Sequence, residues 1–380
     1  MQKLKLGVSI SLSGRYSLQG KESFEGLKLW VRDVNQSSGI FVRKYDKKLP
    51  VKLIFYDDES TAERCQSLVE KLIVEDKVDI LIGPYSSGLT RAAVPIAQDY
   101  KKILWNHGGS SDDITKEGYT NVISAITPAS EYFTGIIELV RKIDPSARNV
   151  VIFKAEESGF SSNVSEGAKR CAEWNGFLIE EYSYQSGTKD FYLQLERVKE
   201  TEPDLILGVG RTEDDLLLAK QIIEQKVNAK AIGLVVAAIK YFKERFGEKA
   251  EGFLSTSQWE KGIRIKPDFG PIPIEFSKRF KDEYGKEPDY LAAQGYNIGL
   301  VIQRCISEAN TLDDQELRKA ASKIDFRTFY GRFKIDPATG RQLGHRMVIV
   351  QWQGGEKFIV FPADLAEAEP LYPMPSTMNI

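Results

Sequence analysis

The sequence predicts an α/β protein made of two doubly wound parallel-sheet lobes. Three observations lead there. Strand-like and helix-like stretches alternate for most of the chain. The alternation runs through two separate series, the second beginning near Asn121. The length, 380 residues, exceeds one ordinary domain and suits two of roughly 150–200 residues each. A βαβ series gives a parallel sheet with helices on both faces.

The elements follow in order. "LKLGVSISL" reads as a strand ending in Ser-Gly. "ESFEGLKLWVRDVN" has helical spacing, with Phe24, Leu27, Trp30, Val31 and Val34 on one face. "PVKLIFYDD" is a strand, "TAERCQSLVEKLIVED" a helix, "VDILIG" a strand stopped by Pro84. The helix from Leu89 and the strand "KILWNHGG" complete the first series. In the second, "RNVVIFKA", "FLIEEYSY", "PDLILGVG" and "AKAIGLVV" are strands. "SNVSEGAKRCAEWNG", "DFYLQLERVKETE" and "EDDLLLAKQIIEQK" are helices, the first closed by Gly176. After Gly252 come an extended stretch, "GFLSTSQW", and helices at 274–284, 290–309 and 313–322. Three strands follow, "TFYGRFKID", "HRMVIVQW" and "KFIVFP". The tail from Ala363 carries three prolines and is expected along the surface. The helices after Gly252 need a sheet to cover, so the chain is expected to return to the first lobe and to cross back near Gly331.

Composition excludes several functions. The formal net charge is −2, against a nucleic-acid partner, which favours a basic patch. No apolar run approaches a membrane span. "MQKLKLGVSIS" moves straight into a strand, with no leader in this sequence. Cys65, Cys171 and Cys305 have no spacing motif and read as buried free thiols. The two histidines, His107 and His345, are too far apart in sequence to suggest a metal site. "YDDE", Tyr56 to Glu59, reads as a solvated acidic loop. No nucleophile elbow, phosphate loop or full dinucleotide fingerprint occurs. Neither an enzyme nor a cofactor is expected.

In an open parallel sheet, ligands bind at the carboxyl ends of the strands. Three such ends in the first half carry small residues and hydroxyls: "SLSGRYSLQG", "YSSG" at 85–88, and "HGGSSDD" at 107–113. Ser86, Ser87 and Ser111 stand near helix starts. There a serine either caps the helix or joins its N–H groups in holding an anion. Ser87 and Ser111 together suit one carboxylate. Arg15 and Arg211 lie at inferred strand ends, where they either face solvent or pair with an anionic ligand.

The order and spacing of "KLGVSISLSGRYSLQGKESFEGLKLWVRDVN", "VKLIFYDDESTAERCQSLVEKLIVEDKVDILIGPYSSGLTRAAVPIAQD", "KDFYLQLERVKETEPDLILGVG" and "GRFKIDPATGRQLGHRMVIVQW" resemble the periplasmic binding proteins of the leucine/isoleucine/valine type. The resemblance implies two lobes joined by three crossing strands, closing on a ligand in the cleft. Lobe one would comprise residues 1–123 and 257–330. Lobe two would comprise 124–256 and 331–362, with 363–380 a surface tail. It implies a periplasmic or extracellular monomer whose partners are a small-molecule ligand and the permease subunits of an ABC importer. Ser87, Gly109 and Ser111 would hold the ligand carboxylate, with Arg15, Tyr16, Trp105 and Arg211 on the cleft walls.

Departures from the family pattern set the remaining expectations. Val235, in "GLVVAA", stands where amino-acid receptors carry an acid for the ligand ammonium. Ser158 or Phe160 matches one tyrosine position and Gly210 another, while Gln19 matches an aromatic. Ser60 and Ser86 match a disulfide pair present in some members. The ligand is therefore expected to be an organic carboxylate, aliphatic or aromatic, that needs no α-ammonium. Glu156 or Glu157 is the alternative partner for such a group. A branched-chain or other amino acid is the alternative ligand, and a cytosolic or sensor-linked regulator the alternative role.

Overall fold

The computed structural model describes residues 2–116 and 118–375. The chain divides into two compact units, Met1–Pro128 with Arg264–Arg346 (unit 1) and Ala129–Ile263 with Met347–Ile380 (unit 2). The backbone therefore passes from one unit to the other three times.

Unit 1 has a five-stranded parallel sheet: β1 (Leu4–Ile10), β2 (Val51–Asp57), β3 (Ile80–Ile82), β4 (Leu104–Asn106) and β5 (Val122–Ser124), ordered β2-β1-β3-β4-β5. β1 is buried on both faces except at Lys5, as expected of a strand between two helix layers. The order reverses between β1 and β3, so a crevice opens at their carboxyl ends. Helices α1 (Ser17–Gln36), α2 (Ala62–Val74) and α3 (Ser87–Asp99) begin at that edge, with the single turn α4 (Asp113–Lys116) nearby.

Unit 2 repeats the plan. β6 (Asn149–Ala155), β7 (Leu178–Tyr184), β8 (Leu205–Val209), β9 (Ala231–Leu234) and β10 (Leu254–Ser257) are parallel in the order β7-β6-β8-β9-β10. β11 (Val348–Gln353) and β12 (Glu356–Phe361) extend it as an antiparallel pair beside β10. Its helices are α5 (Thr134–Ile143), α6 (Gly159–Trp174), α7 (Tyr192–Thr201), α8 (Thr212–Glu224) and α9 (Lys240–Phe246). α5 was not among the expected elements, yet its Ile136, Ile137, Leu139 and Val140 form one buried face in the unit's core.

The return to unit 1 adds α10 (Pro273–Tyr284), α11 (Tyr290–Ala309) and α12 (Asp314–Lys323). α11 packs on α1 almost backbone to backbone. A Cβ at Gly26 would stand 1.9 Å from the Ala292 carbonyl oxygen, and one at Gly295 1.9 Å from that of Ser23. Only glycine permits this approach.

Two expectations are corrected. "TFYGRFKID" forms only two-residue strands, Phe326–Arg327 and Arg332–Phe333, around a turn. The chain leaves unit 1 after Arg346, not near Gly331. Residues 331–346 are held in unit 1 because the Gly340 carbonyl accepts the Ser124 N–H at 3.0 Å and Thr127 Oγ1 lies 2.6 Å from His345 Nδ1. The last described residues of the tail are tied to unit 2. The Met374 N–H donates to the Lys230 carbonyl at 2.8 Å, and the Tyr372 hydroxyl to Asp144 at 3.0 Å. The remainder of the expected surface tail, residues 376–380, lies outside the described residues.

Candidate functional site

In unit 1 the stretch after β3 divides the two roles open to its serines. Ser86 is the cap of α3: its hydroxyl oxygen accepts the Leu89 N–H at 3.2 Å. It does so at φ +88°, a backbone conformation that costs a non-glycine residue free energy. Ser87, the first residue of α3, reaches instead to the loop after β4. Its Oγ accepts the N–H of Ser110 at 3.1 Å and of Ser111 at 3.0 Å. A hydroxyl has two lone pairs and one proton. With both lone pairs engaged, Ser87 is left as a donor. Gly88, next along, is exposed, and a Cβ there would meet nothing within 4 Å. The first-turn N–H groups lack acceptors within the helix, so Ser87 and Gly88 present donors beside open space.

The receiving loop is organised by Asn106, which sequence reasoning passed over in favour of its neighbour Trp105. The fully buried Asn106 amide accepts the N–H of Gly109 at 2.8 Å and of Gly108 at 3.2 Å. It donates to the Gly109 carbonyl at 2.6 Å and to Ser124 Oγ at 3.0 Å. Gly109 therefore spends its N–H inside the loop. It must be glycine, since a Cβ would stand 2.4 Å from Thr90 Oγ1. Ser111 donates to Asp113 at 3.3 Å, and Arg91 holds Asp113 at 2.7 Å. Beside the loop is a narrow crevice lined by residues including Ser110, Ser111, Asp112, Ser124, Ile126 and Arg341. Buried Asp112 pairs there with Arg341 at 2.6 Å. An amide ending a strand ahead of Gly-Gly was the available signal for Asn106. Nothing in the sequence pointed to Arg341, 229 residues from its partner.

The other unit 1 candidates lie in different settings. Tyr16 faces Tyr85 edge-on with ring centroids 6.4 Å apart, and Arg15 lies 4.7 Å over the Tyr16 ring. Gln19 is buried in the first turns of α1. Trp105 is fully buried within the sheet, so its side chain stands inside unit 1 rather than on an open wall. The acidic stretch is not a solvated loop. Asp58 is fully buried and accepts from Ser11 Oγ (2.6 Å), the Ser60 N–H (2.9 Å) and Ser9 Oγ (3.3 Å). Burial raises its pKa above the usual carboxylate range, although those bonds oppose the shift. Asp57 holds the N–H groups of Leu12 and Ser13. Ser60 donates to the Ser13 carbonyl. Apart from the Ser60 N–H bond, which stays within the turn after β2, these contacts tie the end of β2 and that turn to β1 and the loop after it. Among the described residues no cluster of His, Cys, Asp and Glu could hold a metal.

In unit 2, Ser158 caps α6, its oxygen accepting the Ser161 N–H at 3.2 Å. Phe160 packs edge-on against Tyr132 at 5.2 Å. Arg211 is exposed and precedes α8, its N–H donating to Asp214 at 3.4 Å. Val235 begins the turn after β9 and packs on the core. Glu156 bonds Gln185 and Glu157 accepts the Ser186 N–H at 3.1 Å, so both expected alternative acids are engaged by the neighbouring loop. Gly210 stands at the end of β8, where a Cβ would be 2.0 Å from the Tyr184 hydroxyl. The acid at this edge that sequence reasoning missed is Asp215, inside α8 and 1% exposed.

A family model described as periplasmic binding protein matches residues 3–357. The Leu/Ile/Val-binding protein homolog 7 of Brucella abortus is 23% identical over 388 aligned positions, covering 96% of this chain and 93% of that one. A leucine-binding protein of Thermotoga maritima shares the fold with a TM-score of 0.81 at 22% identity, over 95% of this chain and all of that chain (100%). A solute-binding protein of an ABC transporter from Rhodopseudomonas palustris, solved with p-hydroxybenzoic acid, gives 0.78 at 20% identity, over 99% and 98% of the two chains. No helix among the described residues is long and apolar enough to cross a membrane. Spanned almost end to end by that family model, with the strand order of a doubly wound sheet in each unit, the chain belongs to the periplasmic binding protein family, the type I solute-binding receptors of ABC transporters.

Proposed function

We propose that this receptor delivers a small organic carboxylate, aliphatic or aromatic, to the permease subunits of an ABC importer, and that unit 1 holds the carboxylate. The observation that carries the reading is the Ser87 hydroxyl, whose lone pairs are taken by the Ser110 and Ser111 N–H groups. Its proton and the first-turn N–H groups of α3 supply donors, and a helix N-terminus favours an anion. Ser111 lies on the loop that Ser87 fixes. The family consists of receptors rather than enzymes, and no catalytic role is assigned to any residue. Family membership also favours a periplasmic location.

Calorimetry with benzoate, 4-methylpentanoate and L-leucine tests this, beside their carboxamides. The free acids should bind and the amides should not. Ser87→Ala should weaken binding about 10- to 100-fold, the worth of a hydrogen bond to a charged group. Carboxamides binding as tightly as the acids would refute the reading. A second reading, a branched-chain amino acid, is favoured by the relatives named for Leu/Ile/Val binding. It predicts that L-leucine binds and 4-methylpentanoate, its des-amino analogue, does not.

A further inference from the structure

The parallel sheets of the two units end in four edge strands, and three of these have their outer side engaged. At β2 in unit 1, the Asn35 amide accepts the Val51 N–H at 2.7 Å and donates to the Val51 carbonyl at 2.9 Å. Arg64 donates to the Asp57 carbonyl at the other end, at 3.0 Å. β5 is three residues long, and its Ser124 N–H donates to the Gly340 carbonyl. At β12 in unit 2, Glu367 bonds both backbone groups of Ile359, the carbonyl through its N–H at 2.7 Å and the N–H through its carboxylate at 3.0 Å.

β7 is the exception. It ends the unit 2 sheet and pairs only with β6, without a shift of register, over its seven residues. It has no proline, lysine or bulge, devices that blunt an exposed edge. The Leu178 N–H donates to the Arg148 carbonyl and the Tyr184 carbonyl accepts the Glu156 N–H. Residues 178, 180, 182 and 184 therefore turn their backbone groups towards β6, while Ile179, Glu181 and Ser183 turn theirs outward. No hydrogen bond to those outward groups occurs among the described residues. Apolar surface accompanies the edge. Leu178 is 69% exposed, and Trp174, at the end of α6, is 91% exposed.

We propose that β7 is the contact surface for a second copy of this chain, the two strands pairing antiparallel about a twofold axis at Glu181 to make a dimer with one continuous sheet. The resemblance drawn from the sequence implies a monomer instead.

The pattern of β7 is complementary to itself. Antiparallel pairing of a strand with its own copy uses the same patch on both chains and closes at two. Centred on Glu181, it sets Ile179 against Ser183 and Glu181 against its counterpart, so every outward backbone group of both strands finds a partner. The same register sets Glu180 against Tyr182. Within one chain the Tyr182 hydroxyl donates to Glu180 at 2.5 Å, so across the axis each strand offers the donor and the acceptor that the other uses. Leu178 falls against Tyr184, covering apolar surface. The two Glu181 carboxylates that meet at the axis do not arrive bare, since Lys154 and Lys169 each hold Glu181 at 3.0 Å. A foreign strand would satisfy the backbone but not this set of side-chain pairs.

Sedimentation velocity on the full chain tests the proposal, from about 1 μM to about 1 mM. The 42.8 kDa monomer should give way to a dimer and to nothing larger. Amide hydrogen exchange at Ile179, Glu181 and Ser183 should slow as concentration rises. Ser183→Pro removes an outward N–H and spares the ladder to β6; it should weaken dimerisation about tenfold or more. Leu178→Lys places a charge on the edge and should weaken it as well. Lys52→Ala, on the engaged edge of unit 1, should change nothing. Thermal unfolding confirms that each variant folds, and if Ser183→Pro does not, Leu178→Lys and the exchange rates decide. A monomer throughout the range, assembly beyond two copies, a dimer that neither β7 substitution weakens, or a dimer with unchanged exchange along β7 would each overturn the proposal.

Discussion

The Ser23 hydroxyl lies 3.1 Å from Nδ1 of His107, joining α1 to the loop after β4 around an imidazole that is 2% exposed. Burial pushes the His107 pKa down to about 4, against a smaller opposing effect from a hydrogen bond with the Gly83 backbone. The folded chain therefore keeps this ring neutral where the unfolded chain protonates it. The resulting stability is complete above about pH 6.5, the unfolded value, and is lost as pH falls from there towards 4. The loss should total on the order of 3 kcal/mol. Urea unfolding at pH about 7.5 and about 5 should register about 2 kcal/mol of it, and His107→Gln should show a smaller difference between the two. The ring of His107 should show no NMR titration above about pH 5. A midpoint near 6.5 would contradict this account.

Gly109→Ala should damage stability and ligand binding together. The new methyl would stand 2.4 Å from Thr90 Oγ1 and 2.8 Å from Ile114 Cδ1. Thr90 Oγ1 donates to the Ser86 carbonyl at 2.9 Å, so moving it disturbs the start of α3. Overpacking of this kind costs about 1–3 kcal/mol. Thermal unfolding gives the first number and calorimetry with benzoate the second.

Asn106→Asp is nearly isosteric and still should be costly. It removes the two donations to the Gly109 carbonyl and Ser124 Oγ and places a carboxylate where nothing is exposed. A loss of about 2–4 kcal/mol is expected above neutral pH, and less in acid, where the new group is protonated. A loss independent of pH would show that the amide's donations, not its neutrality, matter.

Arg341→Ala should destabilise unit 1 by about 3–5 kcal/mol, because it leaves the buried Asp112 without its cation. Arg341→Ala combined with Asp112→Asn should recover part of that loss. Denaturant unfolding of the single and double variants completes the cycle.

The legible part of this protein is what periodicity and punctuation carry. The 290–309 helix coincides with α11, Tyr290–Ala309, because an apolar run capped by Asp289 and ended at Asn310 states both ends. α5 was not legible, since Thr134–Ile143 is short and starts without a side-chain cap. The polar framework of the site was half legible. Ser87 was visible because a hydroxyl after a strand has few roles. Asn106 was overlooked because its work is done on the backbone of residues two and three places on. Arg341 gains its meaning from Asp112, 229 residues away, which spacing along the chain cannot express.

The contact between α1 and α11 also sets an order of assembly. During synthesis the ribosome releases β1 to β5 and α1 first, but α1 meets α11 only after about 300 residues have emerged. The stretch 129–263 can form its five parallel strands before then. Unit 1 must wait with one face of α1 uncovered, exposing Trp30 and Leu27 to whatever is nearby. A stalled or truncated chain ending before α11 should therefore engage chaperones through α1, while one ending before β11 leaves unit 2 with its five parallel strands and short of its antiparallel pair and the tail that follows.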